Sequence, residues 1–287
     1  MTHLRAAWSL VLIVAVTVVC LIAQIIVFYL RSPLSRQIPR LYHGLALKVI
    51  GLRVVHHGEI AAERPILFVA NHSSWLDILV LNTLTTVSFV TKAEVRTWPL
   101  IGYFAVLQHS VFVERRAART ADTKDEITRR LEMGDRLVLF PEGTSSDGNR
   151  VLPFKSAFFA VAERPINGRP LLVQPVSVAY TALDGIPLGR QLRPIFTWFA
   201  DMDLFSHLWG VMGAGPGTVE VQFHPPVTIE AFADRKALAK ACEAQIAQGL
   251  SDSLSGRTRD PKPRRYWLVR PERRRRLDSK SAGVNVA

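Results

Sequence analysis

The chain has 287 residues, about twice the length of a typical domain of roughly 150 residues. Hydrophobic residues make up 48% of it and charged residues 21%, which excludes a disordered chain, a collagen-like fibre and a coiled coil. Two cysteines, Cys20 and Cys242, are too few for a disulfide framework. The net charge is +12, and residues 257–287 carry most of it, because eleven Lys and Arg against three Asp and Glu leave 11 − 3 = +8 there.

An apolar run occupies residues 8–30, which contain no charged side chain. A helix that spans a membrane needs about 20 such residues, whereas the apolar region of a cleaved signal peptide is usually about 7–15 residues long. Arg31, Arg36 and Arg40 follow the run and Arg5 alone precedes it, which places the following residues in the cytoplasm by the positive-inside rule. We therefore predict a single-pass anchor of the inner membrane in residues 1–40, with the rest of the protein cytoplasmic.

Beyond the anchor, short β-branched or aromatic stretches alternate with helical ones. The predicted strands are 66–70, 87–91, 110–113, 137–140, 171–178 and 219–223, and the predicted helices are 75–83, 117–133, 156–163 and 231–250. Such alternation predicts an α/β fold with a mixed, largely parallel sheet flanked by helices. Residues 41–256 are expected to form one domain and residues 257–287 a basic tail, for which lipid attraction, docking of an acidic protein and a solvated end are the competing interpretations.

The first candidate for chemistry follows the predicted strand 66–70. His72 lies in the turn after this strand and Asp77 lies five residues further on, where the carboxylate can orient one imidazole nitrogen while the other acts as a general base. The competing interpretation is structural, since Ser74 and Asp77 also fit a helix capping box. The two roles are compatible, because a capping carboxylate can also hold a neighbouring imidazole.

A second candidate is the turn after the predicted strand 137–140. Residues 141–148 are rich in glycine and hydroxyl groups, and such a turn can present backbone N–H groups to an anion or an oxyanion. An ordinary polar turn is the alternative.

Taken together, the two segments resemble the glycerolipid acyltransferase family of the lysophosphatidic acid acyltransferase type. The resemblance is carried by Asn71, His72 and Asp77, by the later Phe-Pro-Glu-Gly-Thr run of residues 140–144, and by two further motifs at residues 112–115 and 172–176. Lys92 stands where the family tends to carry a lysine.

The resemblance implies a role for each of these residues. His72 would take the proton of an acceptor hydroxyl, Asp77 would orient the imidazole, and the oxygen would attack an acyl thioester without a metal or an organic cofactor. The implied substrate-binding residues are Asn71, Lys92, Arg115, Glu142, Gly143, Thr144 and Ser145. Among them, Glu142 to Thr144 would shape the acceptor or oxyanion site, while Lys92 and Arg115 would hold an anionic group.

The residue at position 145 distinguishes between two candidate acceptor substrates. Ser145 stands where the phosphatidic-acid-forming members carry an arginine, and Asp147 adds a negative charge nearby, which weakens phosphate binding and is tolerable for a zwitterionic or cationic head group. The following residues resemble the lyso-ornithine lipid acyltransferase branch, which implies lyso-ornithine lipid as acceptor and acyl carrier protein as donor partner. Arg150 and Lys155 can compensate for the missing arginine, so lysophosphatidic acid remains the alternative acceptor.

Two rival functions come from other classes. A membrane-tethered binding protein would use the basic tail on nucleic acid, which we do not expect to be a partner of an anchored protein. A serine hydrolase would use Ser73 or Ser145, but the chain lacks the Gly-x-Ser-x-Gly elbow. A further apolar segment, residues 203–212, is interpreted either as dipping into the bilayer interface or as core.

Overall fold

A computed structural model describes residues 2–113, 121–258 and 264–266. In these ranges the α-helices are α1 (Thr2–Tyr29), α2 (Ile38–Ile50), α3 (Leu76–Leu84), α4 (Ile101–Leu107), α5 (Ala121–Glu132), α6 (Leu204–Gly213) and α7 (Arg235–Leu254). The strands are β1 (Leu52–His57), β2 (Ile66–Ala70), β3 (Ser88–Lys92), β4 (Val111–Val113), β5 (Arg136–Leu139), β6 (Leu172–Leu183), β7 (Ile186–Pro187), β8 (Gly217–Phe223) and β9 (Arg264–Tyr266). Segments of 3₁₀ helix lie at Pro33–Arg36, Ala93–Thr97, Ser156–Glu163, Arg193–Ile195 and Ile229–Ala231.

The described strands form one sheet in the order β4-β3-β5-β2-β6-β8-β1-β9, with β7 paired to the end of β6. The strands from β4 to β6 are all parallel to one another. Beyond them, β8 runs antiparallel to β6 and β1 runs parallel to β8. The prediction of a mixed, largely parallel sheet flanked by helices is confirmed.

Helices cover both faces of the sheet, as the burial pattern of β2 shows. All five of its residues are buried, and they alternate between two hydrophobic cores: Phe68 and Ala70 face one core, while Leu67 and Val69 face the other. Helices α2 and α3 contribute to the first core, and α5 and α7 contribute to the second. Burial on both faces explains why the strand reads as a continuous apolar run.

Several predicted elements change their type or bounds in the structure. Residues 156–163 are a 3₁₀ segment instead of an α-helix, and the last long helix begins at Arg235 because Asp234 caps it by accepting the N–H groups of Lys236 and Ala237. Residues 203–212 largely form α6, which buries His207 and Met212 but leaves Phe205 78% exposed. One face of the segment therefore belongs to the core, as one interpretation expects, and the other face is exposed.

The apolar helix α1 is long and apolar enough to cross a membrane by length and composition. It begins earlier than the predicted 8–30 and packs against α2 and α6. Near its start Arg5 donates to the Ile50 carbonyl (3.2 Å), and near its end the buried Gln24 donates to the Leu107 carbonyl (2.6 Å). These two residues are about 28 Å apart along a helix that rises 1.5 Å per residue, so α1 lies against the globular body over most of its length.

The basic tail is not wholly separate from the domain. Strand β9, which lies within the predicted tail 257–287, pairs antiparallel with β1 and adds a strand to the sheet. The domain boundary at residue 256 stays a prediction, with these three residues joined to the sheet. Residues 259–263 and 267–287 lie outside the described part of the chain.

Candidate active site

The parallel strands bring the predicted site residues to one edge of the sheet. Strands β2, β3 and β5 are parallel neighbours, so their carboxyl ends meet at the same edge. His72 follows β2, Glu142 follows β5, and Lys92 is the half-buried last residue of β3. Arg115, which follows β4 in sequence, lies outside the described residues.

His72 and Asp77 form the pair that the sequence predicts. The imidazole Nδ1 lies 2.9 Å from Asp77 Oδ2. The same oxygen accepts the backbone N–H groups of Ser73 (2.8 Å) and Ser74 (2.9 Å), and the Tyr180 hydroxyl donates to the other oxygen, Oδ1 (2.7 Å). The carboxylate thus fixes the turn before α3 and holds the imidazole at the same time, so the geometry is compatible with both the structural and the functional interpretation.

Three further contacts fix His72, one through its ring and two through its backbone. Its ring stacks on Phe140 with centroids 4.2 Å apart. The His72 N–H donates to Glu142 Oε1 (2.9 Å), and the His72 carbonyl accepts the Ser146 N–H (2.9 Å). About a fifth of the side chain is exposed (21%). Because Nδ1 is engaged by Asp77, Nε2 is the ring atom available to a substrate.

Glu142 differs from Asp77 in its electrostatics. Its second oxygen, Oε2, accepts the Leu152 N–H (3.1 Å). The side chain therefore links residues 71–75, the turn that contains His72 and is called the catalytic turn below, to a later loop. Burial raises the pKa of Glu142 to about 8, although the two backbone donors oppose the shift. At neutral pH this carboxyl therefore holds its proton and acts as a neutral tie between backbone segments, not as a charged group.

The other predicted binding residues occupy different positions. Asn71 is completely buried, and its amide donates to the Val178 carbonyl (2.9 Å) and accepts the Val178 N–H (2.8 Å), so it joins the end of β2 to β6. Thr144 is exposed and Ser145 is half-buried. Gly143 adopts φ +69°, and a Cβ there would lie 2.6 Å from the Lys155 ammonium, so this amine rests against the turn.

The structure offers no support for Ser73 as a nucleophile. Its hydroxyl is fully buried and finds no hydrogen-bond partner among the described residues. A serine nucleophile needs a base within hydrogen-bond reach and access to its substrate.

Two side chains of the site carry no role in the sequence analysis. Tyr180 lies on β6 and Phe140 lies in the second motif. The sequence signal for Tyr180 is its place in the alternation of Val176, Val178 and Tyr180, which lie on the face that packs against α3. This alternation indicates core packing only.

An imidazole held by a buried carboxylate, at the edge of an α/β sheet and beside a glycine-containing turn, is an arrangement that can activate a hydroxyl group. The comparisons agree with this chemistry. The family model described as Acyltransferase matches residues 51–179, which include His72, Asp77 and Glu142. The chain is 44% identical over 238 residues to a lyso-ornithine lipid O-acyltransferase from Brucella abortus (strain 2308), covering 82% of this chain and 89% of the relative.

A second relative with the same name, from Rhizobium meliloti (strain 1021), is 42% identical over 259 residues, which cover 89% of this chain and 89% of the relative. The crystal structure of the 1-acyl-sn-glycerophosphate acyltransferase PlsC from Thermotoga maritima has the same fold, with a TM-score of 0.59 at 23% identity over 91% of this chain and 100% of that one. The chain belongs to the acyltransferase family. It is therefore an enzyme, and not the non-catalytic binding protein considered above.

The loop after the Pro-Glu-Gly turn packs closely on the catalytic turn. Gly148 adopts φ +72°, and a Cβ there would lie 2.6 Å from the buried Thr197 methyl and 3.7 Å from Ser73 Cβ. The next residue, Trp198, donates its N–H to the Ser73 carbonyl (2.8 Å). Glycine at residue 148 therefore allows its own loop and the segment that contains Thr197 and Trp198 to pack together against the residues that follow His72.

We expect Gly148→Ala to reduce acyl transfer about tenfold or more, because the new methyl group must displace Thr197 and with it the catalytic turn. Gly185→Ala is the matched control, since Gly185 has φ +79° and a Cβ there would meet nothing within 4 Å. Both variants carry the left-handed backbone penalty of about 1–2 kcal/mol. Initial rates and thermal unfolding midpoints are measured for both, and equal losses in the two variants would contradict the close-packing argument.

Proposed function

We propose that the protein is a membrane-bound O-acyltransferase that moves a fatty acyl group from an acyl-carrier-protein thioester to the hydroxyl of lyso-ornithine lipid. The observation that carries the proposal is the His72 Nδ1–Asp77 Oδ2 contact of 2.9 Å in a chain that is 44% identical to an enzyme of that name.

The reaction follows from the available nitrogen of His72. Nε2 takes the proton of the acceptor hydroxyl as the oxygen attacks the thioester carbonyl carbon, and Asp77 stabilises the imidazolium that forms. The tetrahedral intermediate then expels the thiolate, which receives the proton from His72, so the products are an ester and a free thiol. Positioned base catalysis contributes about 10²–10⁴-fold, and orientation of the two substrates supplies the remainder.

Charges around the site suit an acidic donor protein. Arg150, Lys155 and Arg190 are exposed around the loop that covers the catalytic turn. Asp147 lies among them: burial opposes the shift, but the hydrogen bonds from Asn149 and the charges of Arg150 and Arg190 hold the pKa of Asp147 below its usual value. The rim therefore carries a net positive charge, which attracts an acidic carrier protein and the phosphate of its prosthetic arm.

The acceptor must present an anionic group to Lys155. Its ammonium rests against Gly143, beside the position where Ser145 replaces the family's arginine. The head group of lyso-ornithine lipid offers a carboxylate to this cation, and Ser145 leaves the adjacent place uncharged. Lysophosphatidic acid is the second candidate acceptor, because Lys155 and Arg150 suit a phosphate as well.

The membrane is expected to meet the protein along α1. The exposed large apolar side chains include many on α1 and others on the elements around it, namely Leu41, Trp98, Leu100 and Phe205. If α1 crossed the bilayer, the parts of the body that contact Arg5 and Gln24 would lie about 28 Å apart, close to the full thickness of a hydrocarbon core of about 30 Å. Although α1 is long enough to span the bilayer as the sequence predicts, we therefore propose, in place of the predicted single-pass anchor, that it lies along the cytoplasmic surface of the inner membrane with its apolar face in the lipid.

His72→Ala is expected to abolish acyl transfer while the protein still folds, because no other described group replaces the base. Asp77→Asn should also lose most activity while keeping an oxygen for the N–H groups of Ser73 and Ser74. The assay is ester formation from acyl-carrier-protein thioester and lysolipid, with thermal unfolding as the fold control. A His72→Ala enzyme that kept more than about a tenth of the wild-type rate would contradict the general-base role.

Lyso-ornithine lipid and lysophosphatidic acid, offered together at equal concentration, should give mostly ornithine lipid. The measurement is mass spectrometry of the products formed by the purified protein, with acyl-carrier-protein and coenzyme A thioesters in parallel arms. Preference for lysophosphatidic acid would overturn the assignment of the acceptor and leave the reaction class intact, and preference for the coenzyme A thioester would overturn the donor.

The arrangement of α1 is testable by cysteine labelling in a chain whose Cys20 and Cys242 are replaced by serine. Thr2→Cys and Lys240→Cys place single thiols at exposed positions at the start of α1 and on α7. A helix along the cytoplasmic surface leaves both thiols unlabelled by an impermeant maleimide in intact spheroplasts and labelled after lysis. Labelling of the Thr2→Cys protein in intact spheroplasts would instead indicate a spanning helix.

A further inference from the structure

We propose that Tyr180 is a positioning residue of this reaction, which acts through Asp77 and sets how tightly the His72–Asp77 pair holds a proton. The inference rests on the proposed function, since it concerns the base of the same transfer. It assigns a role to a side chain outside the motifs that carry the family resemblance.

The contact is short and shielded from solvent. The Tyr180 hydroxyl donates to Asp77 Oδ1 at 2.7 Å. Tyr180 is 2% exposed and Asp77 is 0% exposed, so water does not compete for this oxygen. The phenol ring is fixed in turn by Phe196, with ring centroids 5.8 Å apart and planes at 17°.

The sheet determines where the hydroxyl lies. Val176 of β6 pairs with Ala70 at the carboxyl end of β2, and Tyr180 follows four residues later on the face that packs against α3. This places the phenol beyond the strand end, beside the first turn of α3, where Asp77 lies. Tyr180 and the two serine N–H groups therefore hold both oxygens of the carboxylate, so that Oδ2 stays directed at His72.

The Tyr180 hydroxyl also reduces the negative charge that the Asp77 carboxylate presents to the imidazole. Among the described residues, His72 is the one basic side chain within ion-pair distance of Asp77. A donor on Oδ1 withdraws negative charge from the carboxylate and weakens its hold on the imidazolium. Burial and the nearby Asp77 charge raise the pKa of Tyr180 well above its usual value, so the phenol remains a donor at working pH.

Two other titratable groups face the pair from neighbouring elements. From the turn after β5, Glu142 contacts the His72 N–H, and burial, with a smaller contribution from the Asp77 charge, raises its pKa to about 8. From α6, His207 accepts the indole N–H of Trp75 (3.1 Å), and burial lowers its pKa. The Tyr180 hydroxyl donates to Asp77 and to neither of these groups, so a change in the pH profile on its removal reports on the pair together with Glu142, which is coupled to it through Asp77.

The test is Tyr180→Phe, which keeps the ring and removes the donor. We expect the acid limb of the kcat/KM profile to move up by about 0.5–1 pH unit, because a carboxylate that loses one hydrogen bond retains the imidazolium proton more tightly. The value of kcat at neutral pH should fall several-fold while the KM of the acceptor stays unchanged. Tyr42→Phe is the matched control, since its hydroxyl accepts from Thr17 (3.1 Å) in a contact between α1 and α2.

Replacement of Tyr180 by 3-fluorotyrosine provides a second, opposite test if Tyr180→Phe does not fold. The fluorinated phenol keeps the hydrogen bond and is a stronger donor, so the acid limb should move to lower pH. An active wild-type enzyme whose profile stays unchanged in every folded Tyr180 variant would overturn the proposed role. A wild-type protein with no acyl transfer would instead refute the proposed function, which makes the two failures distinguishable.

Discussion

A buried carboxylate organises this active site. Asp77 is 0% exposed, and a charge at such a place is retained only when donors surround it. The donors come from two distant parts of the chain, namely the turn that contains His72, Ser73 and Ser74 and the strand that carries Tyr180. Satisfying one carboxylate therefore fixes the turn, joins it to the neighbouring strand and leaves a single imidazole nitrogen facing the substrate.

The second buried carboxyl shows how the same residue class serves a different purpose. Glu142 accepts backbone N–H groups from His72 and Leu152, and burial raises its pKa to about 8. Asp77 instead contacts the imidazole itself through Oδ2. One acid therefore holds the ring and the other fixes the backbone on which the ring sits, while Phe140 stacks on the ring plane.

Sequence reasoning locates the elements whose pattern is local. Strand β2 and the His72–Asp77 spacing are recognisable because apolar runs and short motifs lie within a few residues. Helix α2 is not predicted from the sequence, because it buries Arg40. This arginine donates to the Thr83 and Leu84 carbonyls, and a buried polar residue of this kind does not show in the hydrophobic periodicity. The contact of Tyr180 with Asp77 arises from pairing between β6 and β2, which are far apart in sequence, and the same pairing brings the Asn71 amide to Val178.

The route from the lipid to the base is set by rigid packing. Helix α1 packs on α2, and α2 packs on α3 through the Arg40 contacts and the His43–Asn82 hydrogen bond of 3.0 Å. Helix α3 carries Asp77 in its first turn. The buried polar contacts between α2 and α3 fix these two helices against each other, so the fold sets the distance between the apolar helix and the imidazole. In the proposed reaction the depth at which α1 lies in the lipid therefore decides how far an acceptor hydroxyl travels to reach His72.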